Sequence, residues 1–242
     1  MIKSKGYILK DLHWDTQFFG VKCLRVYIKE QLVEEQFESL KKEIESYSFI
    51  TIDNENGSYQ NNHLLCGLNN CYLVDVPVTF RFPIDSKTEN VTGVSIKENF
   101  DSNSKILSIG KDAFKLGRFY KDENIPEGKA SQLYINWLKS ASNRNDKRFV
   151  IEENYNGFIL FSETDDKKGL EIELIATDKD IRAKGYAKRM ITALKSYAAS
   201  RGYKYINVVT QADNIAAVNL YSRQGFKLIS CMYTFHCWKR NQ

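Results

Sequence analysis

Apolar residues recur along the chain with two periods, and the places where one period gives way to the other mark its elements. In EEQFESLKKEIESYSF (34–49), Phe37, Leu40, Ile44 and Tyr47 stand three or four apart, which predicts an amphipathic helix. In YLVDVPVTFRF (72–82) the period falls to two, and Val74, Val76, Val78 and Phe80 predict one face of a strand. Residues 83–104 then turn polar and rich in Ser, Asn and Asp, the composition of a domain boundary. Beyond it SQLYINWLKSAS (131–142) reads as a helix, RFVIEEN (148–154) and GFILFSE (157–163) as a hairpin at Gly157, and GLEIELIAT (169–177) as a long strand. A helix over 187–200, a strand YKYINVVT (203–210), a helix NIAAVNLYSRQ (214–224) and a final strand FKLISCMYTFHCW (226–238) complete the order. Strands first in hairpins and then alternating with helices imply a mixed α/β (α+β) sheet with helices packed on it. The expected organisation is an N-terminal α/β domain with its linker over 1–100 and a second domain over 101–242.

Composition narrows the class. At 242 residues the chain can bury a core without staples, and 43% apolar with 13% aromatic residues excludes disorder. No apolar run is long enough to span a bilayer, and the first residues lack an apolar export segment, so a cytoplasmic protein without membrane association is expected. Five cysteines, an odd number without C-x-x-C spacing, suggest reduced thiols and neither a zinc site nor a disulfide framework. His13, His63 and His236 are scattered without ligand spacing, so no metal is implied.

The net charge of +5 is mild, but Lys179, Arg182, Lys184, Lys188, Arg189 and Lys195 gather around one turn, opposed nearby by Asp178 and Asp180. Such a run is either a solvated helix face or an anion site. Nucleic acid is disfavoured, because no recognised module accompanies the charge. Within the run, Gly185 stands where the strand ending at Thr177 passes into a helix whose apolar stripe is Ala187, Met190, Ile191, Leu194 and Ala198. The first turn of a helix offers unpaired N–H groups and a positive end, a ready anion site. A glycine there admits unusual dihedrals and lets an oxygen approach the backbone. Neither the P-loop pattern nor the dinucleotide fingerprint is present.

What remains is R-x-x-G-x-A, Arg182 to Ala187 (with Ala183, Lys184 and Tyr186 between), followed by Asn214-x-x-Ala217-x-x-Leu220-Tyr221 and Gly225-Phe226. These two stretches, with the element order from 105 to 238, resemble the GNAT family of acyl-CoA N-acyltransferases. GRFYKDENIP (117–126), LYINWLKSA (133–141), VVTQADN (208–214) and TFHCW (234–238) are similar to the branch that acylates amino sugars on nucleotide carriers, typified by TDP-fucosamine acetyltransferases of surface-glycan (O-antigen) synthesis. LHWDTQFFG (12–20) and LVDVPVTF (73–80) extend the likeness to the N-terminal domain.

The resemblance implies a GNAT fold with an additional N-terminal domain, acetyl-CoA or another acyl-CoA as co-substrate, and a dTDP-linked amino sugar as acceptor. It leaves a homodimer open. Backbone groups of Ile175, Ala176 and Thr177 would pair with the pantetheine arm. Arg182, Ala183, Lys184, Gly185, Tyr186, Ala187 and Lys188 would hold the pyrophosphate. Asn214 and Ala217 would accommodate the arm, and Tyr221 would protonate the departing thiolate. Arg118, Tyr120, Glu173 and His236 are implied contacts for the sugar nucleotide. A base could be Glu171, Glu173, His236 or Asp122, or none, since a sugar amine with a pKa of about 8 is neutral in roughly one molecule in ten at pH 7. Acylation of a protein or small-molecule amine, and an acyl-CoA-binding regulatory module, stand as alternatives.

Overall fold

The computed structural model describes residues 5–85, 91–101, 105–181 and 184–239. It forms two compact units, Met1–Pro77 with Cys231–Gln242, and Val78–Ser230. Residues 78–85 and 91–100 thus fall in the second unit, and the last strand in the first.

The first unit runs β1 (Tyr7–Asp11), α1 (His13–Phe19), β2 (Cys23–Ile28), α2 (Glu34–Glu43), β3 (Phe49–Asn54), α3 (Tyr59–Cys66) and β4 (Cys71–Asp75). The second runs β5 (Pro77–Pro83), β6 (Val94–Lys97), α4 (Ile106–Ala113), α5 (Arg118–Lys121), α6 (Glu127–Ala141), β7 (Lys147–Glu152), β8 (Gly157–Glu163), β9 (Gly169–Thr177), α7 (Tyr186–Ser200), β10 (Tyr205–Gln211), α8 (Ile215–Arg223) and β11 (Lys227–Cys231). A final strand, β12 (Tyr233–Trp238), returns to the first unit.

Two strands expected as single pieces are thus each broken in two. The 72–82 run divides at Val76, before Pro77, and the 226–238 run divides at Met232, whose N–H donates to the Pro77 carbonyl at 3.0 Å. Proline has no N–H for a sheet ladder, so it sits naturally at a strand's first residue. The halves go to different sheets: β12 lies between β3 and β4 in an order β1-β2-β3-β12-β4, while β5 lies between β10 and β11 in an order β11-β5-β10-β9-β8-β7-β6. The same arrangement therefore occurs twice. In both, an antiparallel pair (β1–β2, β8–β9) leads to a parallel pair (β2–β3, β9–β10), and the strand beyond that pair comes from elsewhere in the chain.

Insertion of β12 beside β4 brings Cys237 opposite Cys71, and the two form a disulfide across 166 residues of sequence. The expectation of reduced thiols throughout is corrected here, since only the tertiary topology makes these two neighbours. Cys23, Cys66 and Cys231 take no part in a disulfide. The first core joins Leu24, Val26 and Ile28 to Ile50, Ile52, Phe37, Leu40, Leu65 and Phe235. In the second, Met190, Ile191, Leu194 and Ala198 of α7 pack on Val150, Ile159, Phe161, Leu170, Ile172, Ile206 and Val208 of the sheet. Each large apolar side chain so buried contributes roughly 1.5–3 kcal/mol, which fixes α7 against β8–β10. No helix among the described residues is long and apolar enough to cross a membrane.

Candidate active site

The parallel pair of the second unit is incomplete, and this incompleteness makes the site. β9 and β10 pair from Gly169↔Tyr205 to Ile172↔Val208 and no further. On its other side β9 stays with β8 as far as Thr177, opposite Gly157. Residues 173–177 therefore have one hydrogen-bonding edge in the sheet and the other turned to the space between β9 and β10. A free strand edge carries N–H and C=O groups that an extended ligand can pair with. The first unit has the same topology without the gap: β2 and β3 pair along their whole length, to Ile28↔Asn54. Buried asparagines seal that end, with Asn54 Nδ2 donating to Asn62 Oδ1, Asn61 Nδ2 donating to Asn54 Oδ1, and Asn61 Oδ1 accepting from the Leu32 N–H.

Past the gap the chain enters α7. Gly185 is its N-cap in the left-handed region, φ 80° and ψ 6°, with no side-chain cap. Its carbonyl accepts the Arg189 N–H at 3.0 Å, so the helix is closed from the first turn while the N–H groups of Tyr186, Ala187 and Lys188 have no intrahelical acceptor. Among the described residues beyond its chain neighbours, a Cβ built on Gly185 would meet nothing within 4 Å, which leaves room for a ligand there. Lys184 and Lys188 are exposed beside it, and the Arg189 guanidinium lies 4.5 Å from the Tyr186 ring centroid. Arg182 and Ala183 lie outside the described residues.

The helix that follows β10 begins at Asn214, whose Oδ1 accepts the Ala217 N–H at 3.2 Å. That cap leaves the amide's two donors for another partner. At the far end Gly225, with φ 79°, reverses the chain, and the Phe226 N–H returns to the Tyr221 carbonyl. Tyr221 is consequently held in the core, 5.9 Å from the Phe80 ring and 5.7 Å from the Phe226 ring. Its hydroxyl hydrogen-bonds to no described residue, and burial pushes its pKa above the ordinary phenol value.

Residues 114–226, which hold the gap, the α7 cap and Tyr221, match the model of the acetyltransferase (GNAT) family. That region is similar to the GNAT acetyltransferases. Spore coat polysaccharide biosynthesis protein SpsD of Bacillus subtilis (strain 168) is 23% identical over 136 residues, covering 55% of this chain and 46% of its own. An uncharacterized N-acetyltransferase of Methanocaldococcus jannaschii is 27% identical over 121 residues, covering 47% and 53%. The chain spans about half the length of these curated relatives. The crystal structure of a GCN5-related N-acetyltransferase from Sphaerobacter thermophilus superposes with a TM-score of 0.63 at 13% identity, covering 98% of this chain and 78% of that one. This likeness establishes the fold.

The remaining candidates are engaged in different ways. The Glu173 carboxylate accepts from Trp137 Nε1 at 3.2 Å, from Ser162 Oγ at 2.6 Å and from Lys147 Nζ. The Tyr120 hydroxyl donates to the Lys111 carbonyl at 2.9 Å and lies 2.8 Å from Ser131 Oγ, which ties α5 to α4 and α6. The Arg118 guanidinium lies 4.4 Å from the Phe119 ring centroid. Asp122 is buried and accepts the Asn124 N–H, holding its own turn. His236 belongs to β12 of the first unit, buried between Thr51 and Tyr72 and edge-on to Phe49.

One cluster near the gap joins the base candidate Glu171 to Arg81, Asn207 and Tyr205, which had no sequence signal. Glu171, opposite Asn207 in the last stretch of paired β9, has its pKa raised by burial; a hydrogen bond from Asn207 opposes the rise, Glu173 adds to it and Arg81 opposes it. Arg81 Nε donates to Asn207 Oδ1 at 2.9 Å, and its guanidinium stacks 4.0 Å from the Tyr205 ring centroid. Arg81 lies 126 residues from Asn207 and meets it because β5 is inserted next to β10. Among the described residues no group of three or more His, Cys, Asp or Glu could hold a metal ion.

Proposed function

We propose that the protein is an acyl-CoA-dependent N-acyltransferase acting on the amino group of a nucleotide-linked amino sugar, a dTDP-amino-dideoxy sugar above all, in surface-glycan synthesis. The observation that carries the acyl-CoA half is the parting of β9 from β10 after Ile172↔Val208, with an uncapped, open helix start at Gly185 beside it. The sugar half rests on the matches in 117–126, 133–141 and 208–214 and on the polysaccharide-biosynthesis name of the Bacillus relative.

A bound acyl-CoA supplies a thioester carbonyl and a thiol leaving group. Backbone groups of Ile175, Ala176 and Thr177 bind the pantetheine arm along the free edge of β9, and a strand N–H there polarises the carbonyl. The first-turn N–H groups of α7, with Arg182, Ala183, Lys184 and Lys188, hold the pyrophosphate. Asn214 donates its amide N–H groups to the arm, and Ala217 leaves room for it. The amine attacks directly. Tyr221, kept protonated by burial, gives its proton to the sulfur as the C–S bond breaks. Glu171 is the base candidate whose surroundings favour proton uptake, because burial raises its pKa.

Incubation with acetyl-CoA and longer acyl-CoAs against a panel of TDP- and UDP-amino sugars, read as free thiol, tests this. Thiol release that depends on a sugar nucleotide is expected. Release with peptide or small amines alone would replace the acceptor assignment, and binding of acyl-CoA without release to any amine would make the protein a binding module.

A further inference from the structure

Glu173 holds an unusual place in the sheet. The β8–β9 register runs Leu160↔Leu174 and then Phe161↔Ile172, so Glu173 is the extra residue of a β-bulge. It is also the first residue of β9 beyond the last pair with β10. A bulge bends its strand and increases the local twist, and here the bend begins where β9 leaves β10. The bulge also changes which face the side chains take. Leu170 and Ile172 belong to the core under α7, and the next β9 residue packed there is Ile175, three positions on, where strict alternation would put Leu174.

A bulge of this kind needs an anchor, because a slip of one residue would restore alternation and move every side chain beyond it to the other face. The anchor is visible. The Glu173 carboxylate is largely buried and takes donors from three elements at once, Trp137 of α6, Lys147 of β7 and Ser162 of β8. Lys147 is itself largely buried. A carboxylate so occupied has little capacity left for a substrate amine or hydroxyl, and a slipped register would leave a charge and its partners buried apart, a costly state.

We infer that Glu173 is a positioning residue that locks the β9 bulge to α6, β7 and β8 and so holds the acyl-CoA gap open, and that it is not a contact for the acceptor sugar. The inference rests on the acyl-CoA reading of the gap. Glu173→Gln removes the charge that Lys147 pairs with, and Trp137→Phe removes one donor while keeping an aromatic, if smaller, side chain. Both should raise the KM for acyl-CoA about tenfold, as small displacements of positioning groups do, and leave the acceptor KM within about twofold. The two changes together should cost less than the sum of each alone, since both break one network. Ile151→Val, a core change in β7 chosen to match any loss of melting temperature, should leave both constants unchanged.

A measurement without ligand keeps the two readings apart. Deuterium uptake by the peptide covering 170–178 should rise in Glu173→Gln and not in Ile151→Val. Unchanged uptake, or a rise in acceptor KM alone, would overturn the inference and return Glu173 to the acceptor site. Calorimetry of the wild-type protein with coenzyme A tests the gap reading by itself: absence of binding would sink that reading, while the uptake result still decides whether Glu173 holds the bulge.

Discussion

Ile172 and Val208 are the last residues at which β9 and β10 are paired, and Gly185 opens the helix that starts beyond that point. The free strand edge and the free helix donors are thus consecutive features of one βα connection, suited to an extended arm that ends in a phosphate. Gly185 sits at φ 80°, and no described residue beyond its chain neighbours comes within 4 Å of where a Cβ would be. Gly185→Val brings both strain, about 1–2 kcal/mol for a non-glycine residue in this region, and a branched side chain in the approach path. Gly185→Asn separates these, because Asn tolerates the left-handed region. Both should raise the acyl-CoA KM about tenfold while the acceptor KM changes little, and only the Val variant should lose melting temperature. Equal rises in both constants would mean that this turn does not hold the pyrophosphate.

Lys184 is exposed beside the same cap. An exposed cation next to a phosphate is worth about 0.2–1 kcal/mol and is screened by salt. Lys184→Ala should weaken acyl-CoA binding by about two- to fivefold at low ionic strength and flatten the dependence on salt. Titration calorimetry at several salt concentrations checks it, and an unchanged slope would return the basic run to a solvated helix face.

Much of this region could be read from the chain because its signals are local. The helix period fixed by Met190, Ile191, Leu194 and Ala198, the glycine at 185 and the Asn214-to-Phe226 motif each lie within one element and its cap. The missed features are non-local. Val76 and Met232 interrupt two runs whose alternation continues on either side, and nothing short of the exchanged pairing of β5 and β12 shows that the halves serve different sheets. The same exchange makes the Cys71–Cys237 disulfide and the Arg81–Asn207 contact. Glu173 was legible as a polar residue near the gap, but its role depends on a one-residue register shift and on Trp137, Lys147 and Ser162 from three other elements.

Glu171 gives a pH test. Its native pKa lies above the ordinary 4.5, with burial the largest cause. The native state therefore favours the protonated carboxyl. This contribution to stability is fully present below the ordinary value and is lost as pH rises through the raised native value. Glu171→Gln cannot ionise, so the melting temperature of the variant relative to wild type should climb as pH goes from about 4 to about 7. If Glu171 also takes the proton from the amine, kcat/KM of the variant should lose its acid limb. A melting difference that is flat or falls with pH would contradict the raised pKa.

Tyr221 joins a packing role to a proposed chemical one, and the two separate cleanly. Its ring lies among Phe80 and Phe226 in the core, and its hydroxyl has no hydrogen-bond partner among the described residues. Tyr221→Phe keeps the ring and removes a hydroxyl that has no partner among the described residues, so the melting temperature should change little. Burial raises the phenol pKa, which keeps the proton in place across the working pH range and leaves it available to the departing sulfur. Loss of that acid should lower kcat by about a hundredfold or more. The acyl-CoA KM should stay within about threefold, because the proton is shared only as the C–S bond breaks. The acyl group should pass at nearly the wild-type rate to an acceptor whose exchange with the thioester needs no acid, such as a small thiol in place of the amine. Near-normal kcat of Tyr221→Phe on an amino-sugar nucleotide would leave the ring as core packing and pass the proton to water.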